Sequence, residues 1–119
     1  MTVAGAIAAA DSLRPNSYTA AEKTAWLYRL DAGIVTEVTS PSNPDAVPAE
    51  EDYTGSCVLP VGPPYDEMYV TYLVACIHLA DGEMTRYNNA LLRFNDTYES
   101  FVRWYRRNYP PAGKELRLK

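Results

Sequence analysis

Apolar positions recur in steps of three and four over most of this chain, and they fail in one central stretch. Val3, Ile7, Ala10 and Leu13 fall at helical spacing, and Pro15 stops the helix they form. That stripe is mostly alanine, which predicts a short helix near 3–13 that docks lightly. Thr19-Ala20-Ala21-Glu22 reads as a capping box, in which side chains satisfy the free amides of a helix start. Trp26, Leu27, Leu30, Ile34 and Val38 then mark one face of an amphipathic helix over 20–38, with Glu22, Lys23, Arg29 and Glu37 on its outer face. From Leu73 through Ile77, Ala80, Met84, Tyr87, Leu91, Phe94, Tyr98 and Phe101 to Tyr105 the steps alternate as a heptad-type seam. Asp81-Gly82 interrupts it, giving either two helices, 65–81 and 83–108, or one long kinked helix. Pro110-Pro111 ends the helical part and leaves 109–119 as a tail. The pattern predicts an all-α fold, a small bundle of three to four helices in one domain. Its expected core is Trp26, Leu27, Leu30, Ile34, Leu73, Ile77, Leu91 and Phe94.

Residues 39–64 break the pattern. Six of the nine prolines lie there, with Gly55, Gly62 and the acidic run Glu50-Glu51-Asp52. Proline lacks an amide donor, so a long helix is excluded, and only Cys57-Val58-Leu59 is left as a short extended piece. So long a loop in a small domain is either solvated and mobile or functional. The functional reading is an extended arm that contacts a neighbour.

Composition narrows the classes. The 119 residues are 47% apolar and 22% charged, ordinary for a folded domain, but ten tyrosines stand against two phenylalanines. That excess points to rings at partly wet boundaries. A net charge of −4 argues against a protein whose main task is gripping phosphates. The charge is uneven: residues 1–64 carry three basic and eight acidic side chains, whereas 103–119 carry six basic and one acidic. Two cysteines, Cys57 and Cys76, make neither a disulfide framework nor a zinc site, and no run reaches the length of a membrane helix. The Ala-rich start lacks the basic flank of an export signal. The expectation is a soluble, reduced, non-exported protein.

Catalytic chemistry has little to stand on. The single histidine, His78, is placed mid-helix with no second metal ligand predicted beside it, and Asp81 and Glu83 read as helix-end caps. Cys76 reads as a small core residue. No catalytic residue, metal or cofactor is expected; an enzyme built on His78, Asp81 and Glu83 is the weakest reading. The aromatic stripe has two explanations. Tyr and Phe rings stack bases in single-strand binders, but that mechanism needs interleaved cations, and only the C-terminal end supplies them. Rings at heptad spacing otherwise form core or subunit interface, where Tyr and Trp are enriched.

Leu13-Arg14-Pro15-Asn16 with Tyr18, Glu22-Lys23-Thr24-Ala25-Trp26-Leu27 and Leu30-Asp31 resemble the first half of small phage and prophage head–tail connector proteins. Pro64-Tyr65-Asp66-Glu67 with Tyr69, Tyr72-Leu73, Gly82-Glu83, Arg86-Tyr87-Asn88-Asn89, Phe94-Asn95 and Trp104-Tyr105 resemble the second half. The resemblance covers about 13–38 and 64–108 and leaves out the loop between them. It implies a helical virion protein at the head–tail junction, present in the host cytoplasm during assembly. Such proteins form a ring, typically twelvefold, under the portal, meet the next neck or tail protein, and line the path of the packaged DNA. A closed ring needs a heterologous interface. The candidate interface residues are Pro48, Tyr53, Val58, Leu59, Tyr65, Tyr69, Arg103, Trp104, Arg107 and Lys114, with no membrane partner. The alternative is a nucleic-acid-associated packaging or regulatory protein using the basic C-terminal end.

Overall fold

The computed structural model describes residues 1–110 and is all-α, with four α-helices. Helix α1, Val3–Leu13, starts where the Thr2 hydroxyl accepts the Gly5 amide at 3.0 Å. It does not dock lightly. Val3, Ala6 and Ala10 are fully buried, because small side chains let this helix approach α2 and α3 closely. The stripe ends sooner than its spacing predicts, and Leu13 is 72% exposed. Helix α2, Ala20–Ile34, has both arms of the capping box, Glu22 N–H to Thr19 Oγ1 at 3.1 Å and Thr19 N–H to Glu22 Oε1 at 3.4 Å. A π-type turn, Val35–Thr39, prolongs it. Lys23, expected on the outer face, is buried instead. Its ammonium donates to Asp11 at 2.8 Å and to Asn16 at 3.1 Å, joining α2 to the end of α1.

The seam resolves into two helices, α3 (Glu67–Ala80) and α4 (Met84–Asn108), with a tight turn between them. Gly82 N–H reaches Leu79 O at 3.1 Å and Glu83 N–H reaches His78 O at 2.9 Å, a Schellman pair that requires the left-handed φ of +75° found at Gly82. The helices run antiparallel, so Tyr72 meets Phe94 and Tyr65 meets Phe101 and Trp104. Their facing stripes bury Met68, Tyr69, Leu73, Phe94 and Phe101 with Leu27 and Ile34 of α2. Ile77 is also buried, whereas Trp26, Leu30 and Leu91, expected in the centre, sit half-buried around it.

Residues 40–64 form a strap across this body. Two 3₁₀ turns, Pro44–Ala46 and Glu50–Asp52, carry its exposed acidic part. The extended piece at 57–59 pairs with the chain start: Val3 N–H to Cys57 O at 2.9 Å and Leu59 N–H to Met1 O at 2.8 Å. Leu59 and Val61 then enter the core, each 3% exposed. Tyrosine hydroxyls fasten the rest, Tyr28 to Pro48 O at 2.7 Å and Tyr105 to Thr39 O at 3.1 Å. Part of the tyrosine excess acquires its reason here: the Tyr28 and Tyr105 hydroxyls satisfy backbone carbonyls at Pro48 and Thr39 while their rings stay partly buried.

Candidate functional site

Pro48, Tyr53 and Val58 come together. They line a groove of about 320 Å³ between the strap and α2, with Val35, Pro60 and Asp31. Asp31 is the buried anchor of this region, 2% exposed. It falls between Leu27 and Ile34 on the buried face of α2, one helical turn from each. Tyr69 donates to its Oδ1 at 2.7 Å, Tyr53 donates to its Oδ2, and the Tyr69 oxygen accepts the Val61 amide at 3.1 Å. Burial raises the Asp31 pKa above the usual carboxylate value and outweighs the two phenol donors, which lower it. Burial and the neighbouring Asp31 carboxylate likewise push both phenols far up. This chain of hydrogen bonds fixes strap, α2 and α3 to one another.

Tyr65 and Trp104 meet at the far end of α4, and Arg103 and Arg107 lie on the last turns of the same helix. Tyr65 packs on Phe101 and Trp104 with ring centroids 5.9 and 5.7 Å apart, and Tyr109 lies 4.8 Å from Tyr105. Arg103, Arg106 and Arg107 project from this aromatic end and are exposed. None of the three forms an ion pair among the described residues. An aromatic platform edged by guanidinium groups is suited to an acidic protein surface or to phosphates. Two candidates are not surface residues. Leu59 is 3% exposed and Tyr69 is fully buried, so both hold the subunit's own core and are corrected out of the interface. Lys114 lies outside the described residues.

The opposite end of the molecule carries a polar cluster that the sequence left scattered. Arg14 Nη2 donates to Asp81 at 3.0 Å and to Glu83 at 3.1 Å, and Tyr18 donates to Asp81 at 2.6 Å. His78 Nδ1 lies 2.8 Å from Glu83 Oε1. His78 and then Arg14 hold the Glu83 carboxyl below its usual range, and the bond to Asp81 holds the Tyr18 hydroxyl above its own. Asp81 and Glu83 thus tie the α1–α2 link to the α3–α4 turn rather than capping a helix with their side chains, and no described group of three or more His, Cys, Asp or Glu is placed to hold a metal. The spacing of apolar positions does not mark Arg14 or Tyr18 as site residues. For Asp31 a signal existed, a carboxylate at the spacing of its apolar neighbours.

No described helix is long and apolar enough to cross a membrane. No protein-family model, curated protein or solved structure matches the chain.

Proposed function

We propose that this protein is a structural component of a tailed-phage virion, a small helical bundle that assembles as a head–tail connector ring under the portal. In this reading it joins the DNA-filled head to the next neck or tail protein. One observation carries it beyond the resemblance: unlike ends of one subunit both expose apolar side chains. Leu13, Leu79 and Met84 lie at the α3–α4 turn, with 72%, 47% and 51% exposure. Val58 and Tyr109 lie toward the other end, with 74% and 58%. Helix α1 runs from the first residue group to the second in reverse, from its pairing with the strap to the Arg14 contacts at the turn. Two different sticky ends are what a heterologous, ring-closing contact uses.

Portal-facing and neighbour-facing roles then fall to Pro48, Tyr53, Val58, Tyr65, Arg103, Trp104 and Arg107. Electron microscopy of the protein mixed with its cognate portal tests the proposal. A ring, twelvefold in register with the portal, is expected; a portal left bare would overturn it. The exposed Arg103, Arg106 and Arg107 favour a second reading, a nucleic-acid-associated packaging or regulatory protein. That reading requires DNA binding that weakens steeply with salt, whereas a channel wall needs only weak, uniform contact.

A further inference from the structure

Two grooves in this molecule carry opposite charge and share no element. The first, about 260 Å³, is built by the end of α1, by α3 and by the first half of α4. Leu13, Val74 and Ala90 give it apolar surface, and Arg86 and Arg93 line its α4 side. The two arginines are seven residues apart, so they share a face of α4 and stand about 10 Å apart along its axis. No acidic side chain lines this groove among the described residues. Arg93 forms no ion pair there, and Arg86 has only an exposed one, to Glu83 at 3.5 Å.

The second is the groove at Tyr53 and Val58, built by α2, the π-type turn and the strap, and it has the other sign. Asp52 lines it, the exposed Glu51 precedes Asp52, and the exposed Asp45 adjoins the lining residue Ala46. No basic side chain lines it, and Asp45, Glu51 and Asp52 form no ion pair among the described residues. Each groove also presents one bare apolar side chain. Val58, 74% exposed, and Leu13, 72% exposed, are the two most exposed large apolar side chains among the described residues, and one lies in the lining of each groove.

Charge decides how such surfaces meet. Groove on groove would set Arg86 and Arg93 against their own counterparts, and strap on strap would set acid against acid. Groove on strap pairs opposite charges and takes Leu13 and Val58 out of water together. The two surfaces stand on different elements of one packed body, so the match is made between copies. We infer that the strap of one subunit, at Glu51, Asp52 and Val58, docks on the groove of Leu13, Arg86 and Arg93 in a second copy of this chain, head to tail. Each contact leaves one groove and one strap free, which lets the chain of subunits grow or close. The pairing deepens the ring reading and rests on it for closure into a circle.

Two charge-reversed full-length chains test it: Arg86→Glu with Arg93→Glu, and Glu51→Lys with Asp52→Lys. All four side chains are exposed, so helicity and melting should stay close to those of the unmodified chain. Sedimentation of the unmodified chain, carried into the millimolar range, should show association that weakens as salt rises. Either variant alone should associate at least about tenfold more weakly, because like charges then face each other. Mixed in equal amounts, the two should recover association, since each reversed surface meets its opposite on the other chain. Loss without recovery would overturn the pairing, because each groove would then be serving some other partner. A monomeric unmodified chain at millimolar concentration, or variants that associate as it does, would overturn it too. Electron microscopy with the cognate portal separates this outcome from the ring reading. Unaltered rings built from either variant alone would overturn the pairing and leave the ring. A bare portal beside chains that associate and recover as described would overturn the ring and leave the pairing.

Discussion

Tyr69 and Asp31 show how much a single polar atom governs in this protein. The Tyr69 hydroxyl accepts from Val61 N–H and donates to Asp31, and both partners are buried. Tyr69→Phe keeps the ring but strands an amide and a carboxylate oxygen, so it should cost about 1–3 kcal/mol in urea unfolding. Asp31 also sets a pH dependence. Its folded pKa is raised, so the folded state holds the proton more tightly than the unfolded chain. The stability it contributes is full below the unfolded value and is lost as pH rises through the folded one. Asp11 has the opposite sign: desolvation opposes ionisation there, but hydrogen bonds from Lys23 and Asn16 prevail and hold it low. Glu83 is held low as well, so both stabilise the fold above the ordinary carboxylate range and lose that effect in acid. Asp31→Asn removes only the Asp31 titration. The stability difference between variant and unmodified protein should therefore shift in the variant's favour as pH climbs above the ordinary carboxylate value. A difference that stays flat with pH would show that Asp31 is not desolvated as described.

Among the elements, those with a period were legible and those without one were not. Steps of three and four located α2, α3 and α4 because each helix buries one stripe, and Thr19 and Glu22 marked the start of α2 because a capping box has a fixed spacing. Gly82 left two helices or one bend open, since the apolar phase runs through it; only its left-handed backbone decides for the turn. No atom lies within 4 Å of a Cβ built there, so Gly82→Ala should lose about 1–2 kcal/mol from conformation alone, measured by chemical denaturation. The strap was legible only as a non-helical stretch with an extended piece at 57–59, and its inner face was not. Its prolines rule out helix but carry no register, so nothing in 57–61 announced that Leu59 and Val61 are core while Val58 faces out. That distinction has a simple check. Leu59→Ala should cost about 2–5 kcal/mol and Val58→Ala under about half a kcal/mol. Near-equal losses would mean that the strap does not bury Leu59. Alanine misled in the same way at α1, where a weak apolar stripe looked like weak docking but serves close approach.

At the scale of the whole molecule, charge is sorted by place. Acids crowd the exposed part of the strap, and three arginines crowd the aromatic end of α4, where Arg103 and Arg107 are four residues apart and share a face. Part of that clustering only complements the C-terminal end of a helix dipole, worth about 0.3–1 kcal/mol per cation. The periodic pattern could not separate that role from docking, because both place cations on the last turns of the same helix. Reversal separates them. Arg103→Glu with Arg107→Glu touches no described ion pair and leaves the Tyr65, Phe101 and Trp104 cluster in place. Folding should therefore fall by no more than about the dipole contribution of the two cations plus the repulsion of two acids, roughly 1–3 kcal/mol. Docking through this end predicts much more for assembly: attachment to portal-bearing heads should collapse while the helical signal and cooperative melting persist. The direction of the salt response is set by the partner. Opposite charges on the two surfaces are screened by salt, so attachment of the unmodified protein should weaken as salt rises, and the reversed protein should be repelled most at low salt. Attachment of the reversed protein at the unmodified level would leave the arginines with the helix dipole and solvent alone.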